Sequence, residues 1–214
     1  MNISQLLEKM IAFSDKNIHD IDHLIRVWTY AKIIGELEDL DTDTQFILEV
    51  AAITHDIACP LCREKYGNTN GKHQEQEGAR MVRDFLADTG MDAGQIERVA
   101  WLVGRHHTFS NIEGPDYQIL IEADYIANAS ENNYSEANIR NFLDRIAGTA
   151  SGKRLIEEIF LGHTVPTTKS KGRKSAEKLQ KHFDELERVR KEGEEKMNRS
   201  IDRMMKEDAK RSLR

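Results

Sequence analysis

Three short stretches place ionisable side chains where an apolar helix should have none. In VAAITHDIA, His55 and Asp56 interrupt the run from Val50 to Ala58. In DHLIRVWTYAKII, His23 falls on the face shared with Val27 and Tyr30. In ILIEADYIANA, Asp124 sits between Ile121 and Tyr125. Burying a charge without a partner is costly, so such groups are paired, hydrogen-bonded or bound to metal. A single histidine on an apolar helix is most simply a hydrogen-bonded core residue. Three helices that each send His or Asp inward have a simpler common explanation: the groups meet around a cation. Neutral imidazole together with carboxylate suits the borderline divalent ions.

The elements that must bring these groups together read as helices. ISQLLEKMIAF places Ile3, Leu6, Leu7, Met10 and Ile11 on one face, at spacings of three and four. A second helix is expected from about Asp20 to Leu37. A third, TQFILEVAAITHD, is expected to be capped by Asp43 or Thr44. CREKYGNTNGK carries turn signals and reads as a loop. HQEQEGARMVRDFLADTG is helical and stops at Gly90. Asp92 and Gln95 have capping-box spacing at the start of the segment ending in LVGRHH. Pro115 stands in the first turn of PDYQILIEADYIANA, Ser135 caps EANIRNFLDRIAG, and GKRLIEEIFLG closes the body.

Composition agrees with an all-α protein. Only 3 prolines and 13 glycines interrupt 214 residues, 39% of them hydrophobic and 32% charged. No stretch approaches 18 uninterrupted apolar residues, and the N-terminus lacks the pattern of a secretion signal. Two cysteines are too few for a disulfide framework. The expected setting is cytoplasmic, with no membrane partner.

The net charge of −6 is unevenly distributed. Residues 1–166 carry 15 Lys/Arg against 27 Asp/Glu, and residues 167–214 carry 16 against 10. This break defines two expected units, a helical core over 1–166 and a basic, charged helical tail over 167–214. An acidic core argues against broad nucleic-acid binding. Within the tail, Leu179, Phe183, Leu186 and Val189, then Met197, Ile201 and Met204, form a thin apolar stripe. The stripe suits a helix that packs on the body or on a second copy, so a homodimer through this helix is one expectation.

The order His23, then His55-Asp56, then Asp124 resembles the H…HD…D signature of the HD-domain superfamily of metal-dependent phosphohydrolases. DHLIRVWTYAKII, AAITHDIA and ILIEADYIANA are each similar to what that superfamily carries at those places, and the resemblance covers roughly residues 15–165. It implies an all-α HD-domain helical bundle, to which the tail is an extension. It also implies that His23, His55, Asp56 and Asp124 ligate a divalent ion, Mn, Fe, Co, Ni, Zn or Mg, present once or twice. Such an ion lowers the pKa of water and polarises a phosphoryl group. Asp56 is then also the expected proton acceptor.

Other residues form a second rank. In branches of that superfamily, extra histidines between HD and the final Asp bind a second metal or contact phosphate, which singles out His106 and His107. Alternatively, these residues complement the negative end of the preceding helix. Arg26, one turn after His23, either reaches a phosphate or pairs with a nearby acid; Lys72 and Arg105 are weaker candidates of the same kind. His73 stands where similar proteins carry Tyr, which argues against a ligand role. Glu75 and Glu77 either approach the site or are solvated. Cys59 and Cys62 have C-x-x-C spacing without the βαβ context of a redox motif. The expected function is a metal-dependent phosphohydrolase acting on a nucleotide or other small phosphate ester. The rival is a regulatory or partner-binding HD module that turns nothing over.

Overall fold

The computed structural model describes residues 1–162, and every regular element among them is helical. In chain order these are α1 (Ile3–Phe13), α2 (Ile18–Leu37), α3 (Thr42–Thr54), α4 (Cys59–Tyr66), α5 (Gly71–Leu86), α6 (Ala93–Val103), α7 (Pro115–Glu131), α8 (Glu136–Arg145) and α9 (Ala150–Ile156), followed by a π-helical turn at Glu157–Leu161. The expected all-α class is therefore observed. The expected boundary at residue 166, the apolar stripe of the tail and dimerisation through it lie outside the described residues.

The helix starts follow capping chemistry. Asn2 and Asp92 form capping boxes with Gln5 and Gln95. Asn17, Asn70 and Ser135 accept first-turn N–H groups. Three expectations need correction. The cap of α3 is Asp41, whose carboxylate accepts from Asp43 N and Thr44 N, and not Asp43 or Thr44. The segment read as a loop from Cys62 contains most of α4, begun by Pro60 in its first turn and ended by Gly67 at φ +68°. The glycine and asparagines that follow, over residues 67–70, supplied the turn signal and masked the short helix before them. Finally, α5 ends at Leu86, four residues before Gly90.

The centre of the fold is α3. Its residues from Ile47 to Thr54 are all buried, as expected of a helix apolar on every side. α2 packs against both α3 and α7, α3 also meets α6 and α7, and α5 lies on α6. Val27, Ala31 and Ile34 from α2, Leu48 and Ile53 from α3, and Ile119, Leu120 and Ile126 from α7 are fully enclosed. The segment Thr42–Tyr66 has the length and hydropathy of a membrane span, but 72% of its apolar window is buried inside the protein.

The one buried acid in α3, Glu49, accepts from Trp28 Nε1 at 2.8 Å and Gln45 Nε2 at 3.1 Å. A second, Glu122 of α7, anchors the C-terminal part of the bundle. It accepts from Gly148 N at 2.6 Å, Thr149 N at 2.9 Å, Gln118 Nε2 at 2.8 Å and the Thr149 hydroxyl. These bonds tie the start of α9 to α7. Glu122→Ala leaves several donors without an acceptor, and each buried unmade bond costs about 1–3 kcal/mol. The variant is expected to lose about 3 kcal/mol in a urea unfolding experiment. A loss under about 0.5 kcal/mol would mean that water replaces the carboxylate.

Candidate metal centre

The inward-pointing groups do meet. His23 Nε2 lies 3.2 Å from His55 Nε2 and 3.2 Å from Asp124 Oδ1. His55 Nε2 is 3.5 Å from the same Asp124 oxygen. Asp56 Oδ2 stands 3.7 Å from both imidazole Nε2 atoms. The other Asp56 oxygen, Oδ1, faces His106 Nε2 at 3.4 Å. His23, His55 and Asp56 form one constellation with metal-ligand spacing, and Asp56, His106 and His107 form a second. Asp56 belongs to both.

Local structure explains how two adjacent residues serve one site. On a continuous helix, successive side chains point roughly 100° apart. Here α3 stops at Thr54, and the chain turns through bonds from Ile57 N to Thr54 O and from Cys59 N to Asp56 O before α4 begins. His55 lies just past the last turn of α3, and its Nδ1 donates to Ala52 O at 2.9 Å. His106 repeats the device after α6, donating from Nδ1 to Val103 O at 2.8 Å. The carbonyls at a helix end need donors, and each ring supplies one while aiming its far nitrogen at the cluster. The helix-end role expected for His106 and its place in the cluster are thus the same arrangement.

Those outer bonds decide the chemistry inside. A carbonyl oxygen can only accept, so the proton of His55 and of His106 sits on Nδ1. The Nδ1 of His23 donates to Glu131 Oε2 at 2.9 Å, with the same consequence. Three Nε2 lone pairs then converge with the carboxylates of Asp56 and Asp124. Asp124 Oδ1 accepts one bond, from Asn128 Nδ2 at 2.7 Å. Asp56 Oδ1 and His106 Nε2 are buried and have no hydrogen-bond partner. A group of acceptors short of donors fits a cation, and this donor set fits a divalent one.

Without a metal, protons must supply the missing positive charge. Burial opposes charge on His23, but Asp124, Asp56 and Glu131 outweigh it and raise its pKa to about 9. Burial likewise opposes charge on His106, and the Asp56 carboxylate outweighs it. Asp56 and Asp124 are held well below the usual carboxylate range: burial works against their ionisation, but the neighbouring imidazoles prevail. His107 goes the other way. Burial and the adjacent His106 push its pKa down to about 4, so it is neutral at ordinary pH.

His23, Asp56 and Asp124 of the cluster line a cavity of about 290 Å³, together with Gln74, His107, Asn128 and Glu131, while His55 and His106 lie fully buried behind it. His107 Nε2 meets Gln74 Oε1 at 3.2 Å, and its backbone N–H donates to Glu75 Oε1. Its ring lies so close to Gly71 that a Cβ there would come within 2.7 Å of it. Neither Arg26 nor Lys72 lines this cavity. Arg26 instead lies 3.6 Å from Glu131 Oε1, behind His23, and Lys72 is exposed. Among the described residues, the basic side chain of Lys or Arg type that lines the cavity is Arg63, paired with Asp20. His73 stacks on Tyr66 with ring centres 3.9 Å apart, and Glu77 binds Lys65 and the Tyr66 hydroxyl. Both are therefore engaged away from the cluster. Cys59 and Cys62 are buried free thiols, and Cys59 forms part of the cavity wall.

Sequence reasoning missed Glu131, Asn128, Gln74 and Arg63. A signal existed for the first two: Asp124, Asn128 and Glu131 are spaced four and three on α7, a polar stripe on an otherwise buried helix. Gln74 and Arg63 had none, because their roles depend on contacts made only after α4 and α5 fold over the cluster.

The HD domain family matches residues 20–149, and the chain belongs to that family. No curated protein matches. Among solved structures, the fold is similar to that of a protein described as a predicted HD superfamily hydrolase from an uncultured Thermotogales bacterium. The TM-score is 0.56 at 21% identity, over 86% of this chain and 92% of that one. At this identity the likeness shows a shared fold.

The proton argument has a measurable consequence. An unfolded imidazole titrates near pH 6.5, roughly. The folded value of His23 is raised to about 9, so its charged form adds stability fully below the unfolded value, and that stability is lost as pH rises through the folded one. Metal-free protein is therefore expected to lose stability between about pH 6.5 and 9 in denaturant titrations. In parallel, the His23 ring should show an NMR midpoint near 9. A midpoint near 6.5 would contradict this balance of charges.

Proposed function

We propose that the protein is a metal-dependent phosphohydrolase acting on a small phosphate ester. His23, His55, Asp56 and Asp124 hold a divalent ion, and Asp56 Oδ1 with His106 and His107 offers a position for a second. The observation that carries this reading is the acceptor-only cluster, in which two buried atoms, Asp56 Oδ1 and His106 Nε2, have no partner. Membership of the HD family supports it, since members of that superfamily are mostly metal-dependent hydrolases. When bound, the metal supplies Lewis acidity toward a phosphoryl oxygen and acidifies water.

The chain's own residues do the rest. Glu131, Ala52 O and Val103 O fix the tautomers of His23, His55 and His106, so each ring presents a lone pair. Arg26 neutralises part of the Glu131 charge from outside the cavity. Asp56 turns its two oxygens toward different imidazoles and is the group placed to receive a proton from water in the cavity. His107, neutral and held by Gln74 and Glu75, contributes a lone pair and not a charge. Arg63, held at the cavity wall by the Asp20 carboxylate, is the basic side chain among the described residues that an arriving phosphate would meet, in place of Lys72.

Elemental analysis of purified full-length protein, beside a phosphate-release screen with Mn, Fe, Co, Ni, Zn and Mg, tests this reading. Asp56→Ala is expected to lose metal and at least about 100-fold of phosphate release together. A variant that folds, retains full metal content and keeps wild-type turnover would overturn the assignment. Bound metal in a wild type that hydrolyses none of a broad set of phosphate esters would favour the regulatory-module reading.

A further inference from the structure

The start of α5 lies against the turn that follows α6, and three of its residues hold His107. Gly71 leaves room for the ring: a Cβ there would come within 2.7 Å of His107 Cγ, 2.8 Å of Cδ2 and 2.9 Å of Cβ. Glu75 Oε1 accepts from the His107 backbone N–H at 3.0 Å and from the Thr108 hydroxyl at 2.9 Å. Gln74, a buried residue, reaches the ring itself, with Oε1 3.2 Å from His107 Nε2. The two residues between Gly71 and Gln74 take no part, since Lys72 is exposed and His73 stacks on Tyr66.

The orientation of the Gln74 amide settles which nitrogen of His107 carries the proton. Its Nε2 donates to the Thr69 carbonyl at 2.8 Å. A backbone carbonyl only accepts, so the amide cannot be turned round without losing that bond, and its oxygen is the atom that meets the ring. An amide oxygen also only accepts. His107 therefore carries its proton on Nε2, and in the neutral ring the lone pair is on Nδ1. Among the described residues, Nδ1 of His107 makes no hydrogen bond. This is the reverse of the other three rings. His23, His55 and His106 donate outward from Nδ1 and keep Nε2 for the cluster.

We propose that Gln74 is a positioning residue that commits His107 to offer Nδ1, so that the second cation position, beside Asp56 and His106, is served by one imidazole through Nε2 and one through Nδ1. The proposal rests on the metal-dependent reading for the ion, but not for the form of the ring. Gly71 then sets how closely the ring stands to α5, and Glu75 holds the turn that carries it. The choice of atom also ranks the amide replacements of His107. An Asn side chain reaches about as far from the backbone as Nδ1 does, and a Gln side chain about as far as Nε2. Asn is the closer substitute if Nδ1 is the atom used.

Two measurements on full-length protein test this. The first is NMR of metal-free protein with isotope-labelled histidine, in which the ring-nitrogen shifts distinguish the two neutral forms. His107 is expected to be protonated on Nε2, and His55 and His106 on Nδ1. Folded Gln74→Leu is expected to show His107 as a mixture of forms, and Gln74→Glu, which keeps an acceptor, to restore the Nε2 form. The second is calorimetric titration with Mn. Gln74→Leu is expected to weaken the second ion roughly ten-fold or more and to leave the first unchanged. His107→Asn is expected to hold the second ion more tightly than His107→Gln. A wild-type His107 protonated on Nδ1 would overturn the proposal whatever the variants do. An Nε2-protonated ring that responds to Gln74, in a protein that binds no ion, would uphold Gln74 as the residue that sets the ring and overturn the metal-dependent reading. One ion bound with the same affinity in wild type and Gln74→Leu, and no second, would overturn the part given to His107 and leave the metal-dependent reading standing.

Discussion

Five side chains present acceptors to one another with almost nothing to donate, and the arrangement of the bundle follows from keeping them there. His23, His55 and His106 have their outer nitrogens engaged by a carboxylate and two helix-end carbonyls. Each inner nitrogen is thereby committed as a lone pair. Asp56 and Asp124 add negative charge to the same space. Such a cluster in a protein interior is unfavourable unless a cation or protons occupy it. Packing of α2, α3 and α7 against one another holds the groups together. The surrounding Val, Ile and Leu side chains are fully buried and leave the ligand-bearing segments little freedom to move apart.

The outer shell explains why the cluster can be both crowded and ordered. Glu131 receives His23 on one side and lies near Arg26 on the other. Glu75 accepts from the His107 backbone and from the Thr108 hydroxyl, which fixes the turn after α6. Gly71 leaves space for the His107 ring at the start of α5. His107, Asp124 and Asn128 also line a second, more apolar cavity next to the one at the cluster.

The central residues were legible in the sequence because burial makes charge conspicuous. A His-Asp pair inside VAAITHDIA, and Asp124 inside ILIEADYIANA, stand out against the apolar pattern around them. Most helices were legible for the same reason, through periodicity and capping residues. What escaped notice depends on contacts distant in sequence. Glu131 meets His23 across 108 residues, and Gln74 meets His107 across 33. The helix α4 was hidden by the glycine and asparagines that follow it, although Pro60 marks its start. Arg26 and Lys72 were singled out by charge and proximity in sequence. The first faces Glu131 from outside the cavity, and the second faces water.

The central claim is that a divalent cation completes this cluster, and thermal unfolding of the wild-type protein tests it most directly. A ligand that binds only the native state stabilises it by mass action, about 2.7 kcal/mol at a hundred-fold excess over Kd. For a chain of this size that corresponds to an increase in Tm of about 5–10 °C. The account predicts a shift of that order between protein stripped with EDTA and protein supplied with Mn, Ni or Zn at neutral pH. Melting curves that coincide with and without chelator, and with each of the ions, would contradict it.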